Sequence, residues 1–227
     1  SFTDEVELQQ NFNITFNREL VPDSMLDQWE TTPYFTFSPA VDGRFKWVSS
    51  HELMFSPDKG LSPCTSYKLE LKADKILSRA DKKLYLGGEV AYSFHTAMLE
   101  LTNADFHWKA ASDNSQLPVL SLMLNFNYEL NPAEVLRRLS ITNDGKALTA
   151  KLSQTTIGAT IHLEISNAPV SDDDIAVKIE IAKGLPVPKS TYTTDKEISY
   201  ETVKKKKNKL VITNVETDHN GEQGSIM

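Results

Sequence analysis

The sequence predicts an all-β chain built as two tandem antiparallel β-sandwiches. Three observations carry this. Apolar and polar residues alternate over short runs, turn-forming residues separate the runs, and the second half of the chain repeats segments of the first. A period of two places one set of side chains on a buried face and the other toward water. Many short strands of this kind, closely spaced, form sandwiches or barrels.

The elements follow in order. Phe12, Ile14 and Phe16 alternate with Asn13, Thr15 and Asn17 in the first clear strand. The chain then turns through Pro22 into a short helical piece. Phe45 and Trp47 alternate within a later strand, so both are expected in the core. Asp42-Gly43 and Asp58-Lys59-Gly60 are turn signals. The strand Val90 to His95 closes the first copy near Thr96.

The second copy opens near Leu99, with Phe106 and Trp108 on an early strand. Leu120, Leu122, Leu124 and Phe126 alternate with Ser121, Met123, Asn125 and Asn127. Asn131 is placed to cap a short helix, Pro132 suits its first position and Glu134 its third, with Val135, Leu136 and Leu139 facing inward. Asn143-Asp144-Gly145 signals a turn, and Ile161, Leu163 and Ile165 alternate with His162 and Glu164. The copy ends near Val203.

The repeat is read at two places. Phe-Asn-Arg-Glu-Leu-Val-Pro at 16–22 corresponds to Phe-Asn-Tyr-Glu-Leu-Asn-Pro at 126–132, an offset of 110 residues. Tyr67-Lys68-Leu69-Glu70-Leu71 meets Val177-Lys178-Ile179-Glu180-Ile181 at the same offset of 110. One offset found twice implies two copies of a domain of immunoglobulin-like size. The expected domains are 1–98 and 99–207, and 208–227 supplies terminal strands or the start of a truncated third domain. Lys204–Lys207 is read as a solvated linker or hairpin tip, and Leu210-Val211-Ile212 as the start of another strand.

Composition limits the function. Lys plus Arg total 24 against 31 for Asp plus Glu, a net charge of −7. A nucleic-acid partner is not expected, because a phosphate-binding surface is normally basic. The 227-residue chain holds one cysteine, Cys64, so it forms no intrachain disulfide. No apolar run approaches the roughly 18 residues of a membrane helix. The chain starts at Ser1 without a basic-then-apolar leader, as expected of an exported protein after signal removal or of a piece of a longer one.

Residues 55–67 hold a further pattern: Phe55-Ser56-Pro57, then Leu61, Pro63, Thr65 and Tyr67. This resembles the corner signature of bacterial Ig-like and fibronectin-like modules. Leu61 plugs the sandwich end, Pro63 stiffens the crossing, and the Tyr67 hydroxyl is free to bond upstream backbone, as in a tyrosine corner. Cys64 stands where those families usually carry glycine. The position is therefore not expected to need a positive φ, and the thiol is expected at the surface or half-buried.

Tyr34–Pro39, Gly43–Trp47 and Leu53–Pro57 extend the likeness. In this order they resemble the N-terminal Ig-like or macroglobulin-type domains of bacterial alpha-2-macroglobulin family proteins, especially large envelope proteins of the Bacteroidetes type. The resemblance implies two macroglobulin-type sandwiches forming a non-catalytic scaffold of a protease-trapping inhibitor. The implied partners are downstream domains of the same longer chain and the proteases trapped by the full-length protein. The implied location is the bacterial periplasm or cell envelope, lipid-anchored or free. The alternatives are a surface adhesion or glycan-binding module and an accessory domain of a secreted enzyme.

No catalytic, cofactor-binding or metal-binding residue is assigned. His51, His95, His107, His162 and His219 lack ligand spacing. Asp172-Asp173-Asp174 lacks the spaced calcium-loop pattern and reads as a solvated turn. Trp29, Trp47 and Trp108 would form a sugar platform only if two were exposed, and Trp47 is assigned to the core. Gly221-Glu222-Gln223 echoes the thioester motif of the resembled family, but Asn220 replaces its cysteine. Asn220-Gly221 reads instead as a two-residue hairpin turn, entered by Val211–Val215 and left by Ser225–Met227.

Overall fold

The computed structural model describes residues 4–79, 84–109, 119–169, 173–206, 213–215, 217–220 and 223–226. They form two tandem β-sandwiches. The first contains β1 (Glu5–Val6), β2 (Phe12–Thr15), β3 (Trp29–Glu30), β4 (Phe35–Ser38), β5 (Gly43–Ser49), β6 (Glu52–Pro57), β7 (Ser66–Leu71), the one-turn helix α1 (Ala73–Leu77) and β8 (Ala91–Thr96). Its sheets run β1-β8-β7-β4 and β2-β6-β5-β3.

The second contains β9 (Leu101–Lys109), β10 (Val119–Leu130), α2 (Pro132–Arg138), β11 (Leu139–Asn143), β12 (Lys146–Leu148), β13 (Ala150–Leu152), β14 (Gly158–Ile165), β15 (Ile175–Ile181) and β16 (Ile198–Lys204). Its sheets run β13-β14-β10-β9 and β12-β11-β15-β16. A hairpin of β17 (Thr217–Asn220) and β18 (Gln223–Ile226) follows.

The repeat is legible strand by strand. Tyr67, Leu69 and Leu71 on β7 are buried, and so are Val177, Ile179 and Ile181 on β15. In each copy this strand pairs with the last strand of its sandwich, β7 with β8 and β15 with β16, and on its other side with β4 and β11 respectively. That turn is the 3-10 segment Asp23–Met25 in the first copy and α2 in the second. Asn131 caps α2, its side chain accepting from the Ala133 N–H at 3.0 Å. Val135 is buried, and Leu136 and Leu139 pack on the second core.

The copies differ in their first strand. β1 pairs parallel with β8, whereas β9 pairs antiparallel with β10. The first core is aromatic: Phe12, Tyr34, Phe35, Phe37, Phe45, Trp47, Phe55, Tyr67 and Phe94 are all buried in it. The second is aliphatic, led by Leu120, Leu122, Leu124, Ile161, Leu163 and Ile179. Gly43 is set by close approach, because a Cβ there would lie 2.4 Å from the Phe55 ring. Asp144 and Gly145, both at positive φ, make the tight turn between β11 and β12.

Two expectations need correction here. Lys204 is not solvated. Alternation along β16 turns it inward with Ile198, Tyr200 and Thr202, and it is 0% exposed. Lys205 and Lys206 are exposed, while Lys207 and the strand start at Leu210–Ile212 lie outside the described residues. The terminal hairpin is present, but β17 rather than Val211–Val215 enters it. Its register pairs Asn220 with Gln223, and the expected turn residue Gly221 lies outside the described residues.

Candidate functional site

The dispersed polar residues do not converge. His51 sits beside Ser49, and His95 beside the Thr96 carbonyl and Glu5. His107 and His162 lie on separate strands of one sheet. Asp172 lies outside the described residues. Asp174 accepts from the Lys206 backbone N–H at 2.8 Å and from Lys205 Nζ at 3.1 Å, and these bonds hold its carboxyl below the ordinary value. Among the described residues no group of three or more His, Cys, Asp or Glu side chains is placed to hold a metal ion.

The tryptophans split. Trp47 is 0% exposed, as expected of a core residue, and Trp108 is half-buried on β9. Trp29 is 46% exposed, with the Arg44 and Lys46 cations 5.2 and 5.1 Å from its ring centre.

A polar cluster does form inside the first sandwich. The buried Tyr34 hydroxyl donates to Glu30 at 2.7 Å and accepts from Arg79 Nε at 3.1 Å and Trp47 Nε1 at 3.3 Å. Arg79 also bridges to Glu30 at 3.1 Å. Burial raises the Tyr34 pKa, with the Trp47 bond pulling the other way. Every polar group here has a partner, so the cluster ties the end of α1 to β3 and is a structural lock.

The corner is the most informative local geometry. Leu61, Pro63 and Tyr67 are buried, and the Ser62 N–H donates to the Tyr67 hydroxyl at 2.8 Å. This is the upstream backbone bond that a tyrosine corner requires. Residues 1–96 match the bacterial Ig-like domain family. No curated protein matches the chain.

In this Ig-like domain the corner also meets the second sandwich, and here two expectations about Cys64 fail. Its φ is +48°, and it is 4% exposed. A side chain in this left-handed region costs roughly 1–2 kcal/mol relative to the right-handed conformation. The compensation is packing, because Cys64 belongs to the second sandwich's core cluster, with Leu101, Leu122 and Leu130. Burial pushes its thiol up to about 11, only partly opposed by a hydrogen bond from the Leu99 backbone. At neutral pH it is therefore an unreactive core atom rather than a nucleophile.

Hydrogen bonds seal the same contact. The Thr96 hydroxyl donates to the Ser62 carbonyl at 2.8 Å and accepts from the Thr65 N–H at 3.0 Å. Asn127 accepts from the Glu100 N–H at 2.9 Å and donates to the Met98 carbonyl at 2.7 Å. The Tyr128 hydroxyl donates to the Ala97 carbonyl at 2.8 Å. Strand β10 thus clamps the segment joining the sandwiches. Only Tyr67 and the corner were legible beforehand. Asn127 and Tyr128 read in sequence as strand residues, and nothing local marks their bonds across the junction.

Tyr128→Phe tests the clamp. It leaves the ring in place and removes the partner of the Ala97 carbonyl. The expected loss is about 1–3 kcal/mol, read as a lower midpoint in urea. An unchanged midpoint would show that solvent replaces the bond.

Proposed function

We propose that the chain is a non-catalytic structural frame of a larger bacterial envelope protein of the alpha-2-macroglobulin-like, protease-trapping kind. Residues 1–98 and 99–207 act as its two sandwich domains. Residues 208–227 are terminal strands or the opening of a further domain. The junction carries this reading. Cys64 is seated in the neighbouring core, and the 96–100 segment is held by Thr96, Asn127 and Tyr128. A seam built this way fixes the angle between neighbours, which a cage wall needs and a flexible adhesive stalk does not. The Ig-like match over residues 1–96 supports its sandwich part, and the resemblance of Tyr34–Pro39, Gly43–Trp47 and Leu53–Pro57 to macroglobulin-type domains supports the rest.

The test uses the longer polypeptide that carries this pair. Incubated with an active protease, it should retain the protease in a complex visible on a native gel. Deleting residues 1–98 should abolish retention, and the 227-residue chain alone should retain none. Saturable glycan binding by the chain, lost in Trp29→Ala, would replace the frame with the adhesion reading. That reading has its own observation in the exposed Trp29 beside Arg44 and Lys46.

A further inference from the structure

The two copies treat one sheet edge differently. In the second sandwich β9 covers the outer edge of β10, with Leu101, Ala104 and Phe106 buried. It also closes the seam to the opposite sheet, where the Thr202 hydroxyl donates to the Ala104 carbonyl at 3.2 Å. The equivalent edge in the first sandwich belongs to β2. There β1 pairs with β8 instead, and among the described residues no strand pairs with the outer edge of β2.

An uncovered edge is a template for another strand, and sheets normally blunt theirs with charge, proline or brevity. The other edges here follow that practice. β1 and β3 are two residues long and carry Glu5 and Glu30. β4 lies between Pro33 and Pro39, and β12 and β13 carry Lys146 and Lys151. β2 has no such guard. It lies within Gln9–Asn17, nine consecutive uncharged residues that contain no proline. Past its end, a groove of about 560 Å³ opens between Phe16, Leu20, Ile76 and Leu86, with Tyr85 beside it 87% exposed.

We propose that the β2 edge and this groove accept an added polypeptide strand, antiparallel to β2, with inward apolar side chains spaced as Leu101, Ala104 and Phe106 are on β9. The second sandwich supplies the template for that occupant. β9 sets Leu101 against Phe126, Ala104 against Leu124 and Phe106 against Leu122. The 110-residue offset carries those partners onto Phe16, Ile14 and Phe12. An incoming strand with β9-like spacing places its first apolar residue at Phe16, the mouth of the groove. Main-chain bonds supply affinity, and the inward side chains supply selectivity. The inference concerns the sheet edge and does not depend on the trap reading.

The probe is a fluorescein-labelled peptide with the sequence of residues 99–109, added to the full chain. Saturable binding by fluorescence anisotropy is expected, with slowed amide exchange confined to Gln9–Asn17. A control peptide carrying Leu101→Ser, Ala104→Ser and Phe106→Ser should bind at least tenfold more weakly. Equal binding of the two peptides, or protection of β10 in place of β2, would overturn the proposal. So would a concentration-dependent dimer of the chain that protects β2, which would give the edge to a second copy.

Discussion

Trp47→Ala is expected to cost the first sandwich about 3–5 kcal/mol, much of the stability a domain of this size has. Trp47 is 0% exposed, and its ring lies 5.5 Å from that of Tyr34 and 6.0 Å from that of Phe16. The indole fills space in the core, packed against the Tyr34 and Phe16 rings. Its Nε1 also donates to the Tyr34 hydroxyl, so truncation removes one of the bonds that satisfy the Glu30–Tyr34–Arg79 lock. Urea unfolding followed by circular dichroism should resolve an early transition for the first sandwich and a later one for the second. A single transition shifted as a whole would show that the cores unfold as one unit.

Lys204→Met is expected to stabilise the second sandwich by about 1–4 kcal/mol. The Lys204 ammonium lies inside the fold, 3.3 Å from the Pro169 carbonyl and 5.0 Å from the centre of the Trp108 ring. Pro169 is exposed, so its carbonyl turns to water once the lysine is gone. Methionine keeps the straight stem and removes the charge. The pH dependence has a definite sign. Burial lowers the Lys204 pKa from the ordinary 10.5, opposed by the Asp174 carboxylate. The folded protein therefore holds this proton less tightly than the unfolded chain does. The penalty is present in full below the folded pKa and disappears as pH rises through the unfolded value of 10.5. The advantage of Lys204→Met should shrink over that window, and an advantage constant up to pH 11 would mean the lysine holds its proton equally tightly in the folded and unfolded chain.

What the sequence made legible was whatever depends on local periodicity. Phe12, Trp47, Leu122 and Ile179 follow alternation, and all are buried. Asn131 and Tyr67 could be placed because a helix cap and a corner need a particular side chain at a particular spacing. The misreadings of Lys204 and Cys64 share one physical cause: each rests on a contact made from far along the chain. Lys204 belongs to a lysine run that looks solvated, and only its phase on β16 and the arrival of Trp108 from β9 bury it. At Cys64 the loss of a glycine suggested a relaxed backbone. The structure keeps the positive φ, because the side chain packs into a core that begins at Leu101. The site itself was illegible for the same reason, since Asn127 and Tyr128 gain their role only when the 96–100 segment passes beside β10.

The seat of Cys64 also turns chain order into time order. The first core draws on residues from Val6 to Phe94 and is complete before β9 has been made. Until the second sandwich folds, the Cys64 sulfur has no neighbours in that later core and stands at the end of a finished domain. Closure of the second sandwich then converts a surface thiol into an interior one. During synthesis, the reactivity of this single sulfur records whether the second half of the chain has folded.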